Sequence, residues 1–191
     1  ANHGHMDVGS FVYEADGVRW AVDLGSQNYN AIEQLGTIDL WNMGQNSTRW
    51  NVFRLNQDSH NLVTLDGRRL KVSARAEIDC VSTGETGVAS LDLTEVYGTD
   101  AVTAARRTFT MERPTRTVTV TDDFTGLAAG TSVRWAMVTR ATEIQVDGAT
   151  VHLAQGGARL DVTMMSSAPG GAWEVVDVST GPNSWDVANA R

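Results

Sequence analysis

The feature that most constrains this chain is its punctuation. No long segment keeps the 3.6-residue period of an amphipathic helix. Short apolar runs rich in β-branched and aromatic residues recur instead, broken by Gly or by Asp-Gly. The pattern predicts strands over 10–13, 18–24, 61–65, 69–73, 76–81, 88–93, 106–112, 115–124, 131–138, 143–146, 150–152, 159–165 and 173–178. Thr117 and Thr119 alternate with Val118 and Val120, as in a strand with one buried face. Asp16-Gly17, Asp66-Gly67 and Asp147-Gly148 stand between apolar flanks and read as tight turns. So many short strands predict an all-β fold, with antiparallel sheets packed as a sandwich or closed as a barrel.

The exception is 28–53, a polar, aromatic and Gly-containing stretch that holds Trp41, Arg49 and Trp50. It reads as one long loop excursion with a short helix near 31–35. Loops of this length inside a domain are usually functional or disordered, and its tryptophans argue for order. With 191 residues, 41% hydrophobic and 20% charged, the chain has material for one core, and 1–191 is read as a single domain. Its net charge of −8 argues against a nucleic-acid binder, which normally shows a basic face. A polyanionic partner would have to be held by local cations against the net field. Cys80 is the only cysteine, so no intrachain disulfide or Cys-x-x-Cys chemistry exists; it reads as a small core side chain. No run of eighteen apolar residues is present, so no membrane span is expected. The first residues lack the charged and apolar regions of a signal peptide, and a loaded motif beginning at position two suggests a chain cut from something larger.

That motif is His3-Gly4-His5 with Asp7. The metallo-β-lactamase pattern would need a histidine at position 8, where Val8 stands. The cupin pattern would need a glutamate at position 9 or 10, where Gly9 and Ser10 stand. Two histidines alone do not define a metal site, and surface histidines at a chain end account for them equally well. His152 has no partner pattern and reads as a surface strand residue.

The wider series reads Asn2-His3-Gly4-His5-Met6-Asp7-Val8-Gly9-Ser10-Phe11, then Asp16-Gly17 with Trp20-Ala21-Val22-Asp23-Leu24-Gly25, then Asn28-Tyr29. Ser59-His60-Asn61 with Asp66-Gly67 follows, and later Arg106-Arg107-Thr108-Phe109 and Asp122-Asp123-Phe124. In that order it resembles the β-sandwich domain of the heparinase II/III-like polysaccharide lyases. The resemblance is closest over 2–67. It implies a lyase that cleaves the bond to O4 of a uronic acid by β-elimination, acting on an acidic polysaccharide or oligosaccharide. It implies that His5, Asp23 and His60 bind one Zn²⁺ in a structural role, that His3 is the catalytic residue this domain contributes, and that an N-terminal α/α toroid, absent here, supplies the rest. A periplasmic or secreted location follows from the resemblance alone. Tyr29, Arg49 and Arg54 are secondary candidates for binding substrate. Trp41 and Trp50 could stack on sugar rings or pack inside, and Asp7 could hydrogen-bond a histidine or backbone.

Strand geometry sets a condition on the metal site. Residues i and i+2 share a face, so His3, His5, Asp7 and Phe11 should point together. A three-residue loop at 15–17 would pair Gly9 with Asp23 and bring Asp23 to the histidine face; a two-residue Asp16-Gly17 turn would send it to the other. Four residues of flat strand between His5 and Gly9 span about 13 Å, so a bend near Gly9 or Gly25 is required. Two other readings remain: a non-catalytic carbohydrate-binding sandwich, and a structural domain whose histidines do not converge.

Overall fold

Alternation along the chain builds short strands, and the computed structural model, which describes residues 3–168 and 170–178, arranges them in antiparallel sheets with few helices, an all-β sandwich. The first hairpin pairs β1 (Tyr13–Ala15) with β2 (Val18–Ala21). The largest sheet runs β4 (Ile78–Ser82), β5 (Thr86–Asp92), β6 (Ala104–Glu112) and β7 (Thr117–Thr125) in consecutive order. β3 (Val63–Leu65) pairs with β8 (Val133–Trp135), and β9 (Glu143–Asp147), β10 (Thr150–Gln155) and β11 (Ala158–Thr163) form a meander. Two short helices, α1 (Tyr29–Glu33) and α2 (Thr94–Tyr97), interrupt the strands.

The expected strands over 69–73 and 173–178 do not form, although the side chains of both segments pack. Leu70 belongs to the core between the large sheet, β3 and α2, with Leu91, Ala105, Val63 and Val96. Trp173 packs on the cluster under the meander, with Trp20, Val151 and Leu153. The apolar run over 69–73 therefore marked burial at Leu70, whereas in 173–178 Trp173 packs while Val175 and Val176 are each 54% exposed. Cys80 is exposed on edge strand β4, not in the core.

The excursion over 28–53 is ordered and has a core of its own. Ile32, Leu40, Trp50, Val52 and Leu55 close around Met6, the residue that follows His5. Asn28 caps α1 by accepting the Ala31 N–H, which places the helix two residues earlier than the pattern suggested. The Met6 N–H donates to the Leu55 carbonyl at 3.0 Å, so the histidine segment is bonded to this excursion.

Two buried polar side chains join the layers. Asn61 donates to the carbonyls of Phe11 (2.6 Å) and Val22 (3.0 Å) and accepts the Val138 N–H at 2.6 Å. Arg107, fully buried, makes a two-pronged pair with Asp122 and donates to the carbonyls of Gly9 and Asn61, each at 2.8 Å. Each satisfies backbone groups where no strand partner could, which is the condition for burying irregular backbone.

Candidate functional site

The segment around His5 is shaped by Met6 and Gly9. Met6 is buried in the excursion core, so its neighbours His5 and Asp7 turn away from that core. Gly9 has φ of +91°, and the Ser10 N–H closes a turn on the Asp7 carbonyl at 2.8 Å. This is the bend that strand geometry required. It also breaks the expected common face: Phe11 packs against Phe109 and Trp135 at ring distances of 5.5 and 6.2 Å, away from the histidines. A side chain at position 9 would need a positive φ and would press on Leu93 at 3.1 Å, so glycine fits both demands.

Asp23 reaches the histidine side by a route the sequence did not display. The first hairpin has the two-residue Asp16-Gly17 turn, with Ala15 opposite Val18 and both turn residues at positive φ. Such a turn alone sends Asp23 to the wrong face. Glu14 pairs with Arg19, however, and Tyr13 with Ala21, so Trp20 is an extra residue in a β-bulge. The bulge shifts the register by one and restores the face that a three-residue loop would have given. Buried Trp20 is the anchor of that bulge.

Three predicted residues converge. Asp23 Oδ2 lies 2.7 Å from His60 Nδ1, and its Oδ1 accepts the Gly25 N–H at 2.7 Å, where Gly25 turns at φ of +67°. The His5 and His60 rings are 5.4 Å apart, tilted by 41°. The His60 hydrogen bond holds Asp23 below its ordinary 3.8, against the opposing effect of burial. Burial, with the His60 ring next, holds the His5 imidazole below 6.5, against the carboxylates of Asp7 and Asp23. Both shifts favour a neutral His5 beside an ionised Asp23. His60 is 1% exposed, and among the described residues its buried Nε2 has no hydrogen-bond partner.

The Asp23–His60 pair, with the His5 ring beside it, is the observation a metal would fit: a cation between Asp23 Oδ2 and His60 Nδ1 would take the place of the proton they share and keep the carboxylate as a ligand. Two imidazoles and a carboxylate form a borderline donor set that suits Zn²⁺. As placed, Asp23 and His60 bond each other, and among the described residues no group of three or more His, Cys, Asp or Glu is spaced to hold a metal ion.

His3 lies in a separate aromatic cluster. Its ring stacks on Tyr29 at 5.6 Å with planes 10° apart, and Trp41 stands edge-on to both, at 5.6 and 5.5 Å. Trp41 is 46% exposed and held by a 2.8 Å hydrogen bond from its Nε1 to Glu33. Trp50, by contrast, is a packing residue with its Nε1 on the Gly44 carbonyl.

The two arginine candidates serve as ties. Arg49 is fully buried; it donates to the carbonyls of Leu40 (2.5 Å) and Gly4 (2.9 Å) and lies against the Tyr29 and Trp50 rings. It locks the peptide between His3 and His5 to the excursion, where the sequence reading had it facing substrate. Arg54 donates to the Leu24 and Ser26 carbonyls at 3.0 and 3.4 Å, bracing the turn after Asp23. Sequence reasoning passed over Asn61 and Arg107 as bracing residues. Their signal was position alone, one following His60 and the other within strand β6. His152 does have a partner, Asp161 across β11 at 2.7 Å. Asp7 is exposed and acts on His5 through its charge.

The sandwich thus brings His5, Asp23 and His60 together and carries a separate cluster of His3, half-buried Tyr29 and exposed Trp41. The family model of the heparinase II/III-like C-terminal domain matches residues 1–187, and the chain belongs to that family. Membership makes it a polysaccharide-lyase domain, with polysaccharide as the implied substrate class and a separate N-terminal domain as its implied companion. No curated protein matches the chain significantly. Among the described residues no helix is long and apolar enough to cross a membrane.

Proposed function

We propose that this domain forms one wall of the cleft of a lyase that cleaves uronic-acid-containing polysaccharide by β-elimination. His3 is its acid–base residue, and His5, Asp23 and His60 hold one structural Zn²⁺. The observation that carries the reading is the convergence of His5, Asp23 and His60, with Asp23 Oδ2 on His60 Nδ1 and the His5 ring alongside. When bound, the metal would supply charge compensation for Asp23 and a link between the segments of His5 and His60.

In the elimination a base removes the C5 proton, its electron pair becomes the C4–C5 double bond, and the C4–O4 bond breaks as the leaving oxygen gains a proton. An imidazole, with an unperturbed pKa of about 6.5, can serve at either end of that proton transfer near neutrality. The stack of His3 on Tyr29 and the Arg49 tie on Gly4 fix the ring at the surface, next to Trp41. Tyr29 and Trp41 are placed to line the sugar path, while Arg49 and Arg54 position the backbone. The N-terminal toroid would close the cleft and neutralise the C6 carboxylate.

Metal analysis of the untagged chain tests the assignment. About one Zn²⁺ per chain is expected, lost in His60→Ala. No metal after zinc addition, or full occupancy in His60→Ala, would overturn it. A second reading, a non-catalytic sugar-binding domain, is favoured by the exposed Trp41 platform. It requires the rejoined protein to bind uronides without cleaving them.

A further inference from the structure

A second cleft, of about 340 Å³, shares no residue with the histidine site. It opens between the excursion at Gln45 and Asn46, the segment 68–71, and the end of α2. Arg68, Arg69 and Lys71 line it against one carboxylate, Asp100. Lys71 is the only lysine in the chain, and an excess of positive charge here runs against the net −8.

The cations are held in place. Arg69 donates to Asn51 Oδ1 at 2.6 Å and to the Ser47 carbonyl at 3.4 Å. The Gln45 amide brackets Lys71, giving its Nε2–H to the Leu70 carbonyl and accepting the Val72 N–H, each at 2.9 Å. The Lys71 N–H itself donates to the Val96 carbonyl at 2.9 Å. Asp100 lies 3.1 Å from Lys71 Nζ and 3.5 Å from Arg68 Nη1. Gly98, at φ of +89°, makes room for this pair: a Cβ there would come within 2.4 Å of Lys71 Cε and 2.6 Å of Asp100 Oδ1. Exposed ion pairs of this kind add little stability, so Lys71 and Arg68, paired with Asp100 at the cleft, are better suited to receiving an anion than to holding the fold.

We propose that this cleft is an oxyanion subsite that takes a carboxylate or sulfate group of an acidic sugar chain, held by Lys71 and Arg68 with Arg69 behind them. The identity of the carrier rests on the polysaccharide reading; the oxyanion chemistry does not. Guanidinium forks suit carboxylates and sulfates, and three cations against one carboxylate leave a local positive excess that draws an anion from solution. Asp100 then acts as the competitor that keeps the cations spaced while the site is open.

The test is titration of the full chain with an unsulfated hexauronate, a neutral hexasaccharide of equal length, and inorganic sulfate, followed by the backbone NMR signals of Lys71 and Gly98. The hexauronate should shift both signals, and the neutral sugar should not. Lys71→Gln and Arg68→Gln should each weaken hexauronate binding by about 3- to 10-fold, the loss of one charge-assisted contact. Asp100→Asn should tighten it, an outcome a merely structural ion pair would not give. Shifts confined to His5 and His60, unchanged affinity in both cation variants, or weaker binding in Asp100→Asn would each overturn the proposal. Binding of inorganic sulfate without hexauronate would overturn the sugar carrier. Since the readout is binding at Lys71, loss of the lyase reading through His3 or zinc leaves this result standing, and failure here leaves the histidine site untouched.

Discussion

His3 and His5 are two residues apart and are expected to fail differently. His3 touches Tyr29 and Trp41, while His5 adjoins the buried His60. In the protein rejoined to its N-terminal domain, His3→Ala should lower the rate of uronide cleavage by about 10²–10⁴-fold, the usual contribution of a positioned acid–base group. Metal content and melting temperature should stay as in the parent. Full activity in His3→Ala would place the proton transfer wholly in the other domain. His5 should instead govern the acid limit of stability. Its folded pKa lies below the unfolded 6.5, so between those values the unfolded chain binds more protons than the folded one. Stability from His5 is therefore full above about 6.5 and falls as pH drops toward its lowered value; Asp23, also lowered, adds a further loss below 3.8. Denaturant unfolding at pH 7.5, 6 and 5 (chosen to span about 6.5) should show this decline, and His5→Gln should flatten its upper part. An equal decline in His5→Gln would assign it to other groups.

At the scale of elements, the excursion and the histidine segment act as a unit because Arg49 spans them. Arg49→Met keeps the volume roughly but removes both donors, leaving the Leu40 and Gly4 carbonyls buried without partners. Each orphaned group costs about 1–3 kcal/mol, so urea unfolding should show a loss in that range and zinc occupancy should fall with it. A neutral result would mean the carbonyls find water. What the sequence displayed at this scale follows from locality. Alternation in 115–120 and the Asp-Gly pairs are written in adjacent residues, and β7 and the turns form there, although Val118 is exposed and not on a buried face. The bulge at Trp20 was not legible, because nothing in residues 18–24 distinguishes a bulged strand from a regular one. The register of Asp23 depends on Trp20 packing with Val151 and Leu153, over a hundred residues away. The burial of Arg49 was not legible for a related reason: its partners are backbone carbonyls, which leave no trace in side-chain spacing. His5, Asp23 and His60 were legible only as a set, through the family pattern; neither charge nor periodicity singles out any one of them.

Across the whole molecule, the candidate site adds a link to a loop that the packing of Met6 and its bond to Leu55 already draw together. His5 and His60 lie 55 positions apart (60 less 5), and between them runs the excursion with its core around Met6. On the far side, Asn61 and Arg107 fasten the same junction to Val138, Gly9 and Asp122. The metal proposed at His5, Asp23 and His60 would therefore bind the folded arrangement and not the unfolded chain, in which the three residues are far apart. Such a ligand stabilises by RT ln(1 + [L]/Kd), about 2.7 kcal/mol at one hundred times Kd. For a chain of this size about 1 kcal/mol moves the melting temperature by roughly 2–4 °C, so saturating zinc should raise it by roughly 5–11 °C over chelated protein. The gain should vanish in His60→Ala. It should also be uneven: after chelation, hydrogen exchange should quicken first in the excursion, while the β5–β6–β7 sheet, pinned by Arg107 and Asp122, keeps its protection. Superimposable melting curves with and without chelator would remove the metal from the fold's stability, and uniform loss of protection would deny the excursion its separate dependence on the site.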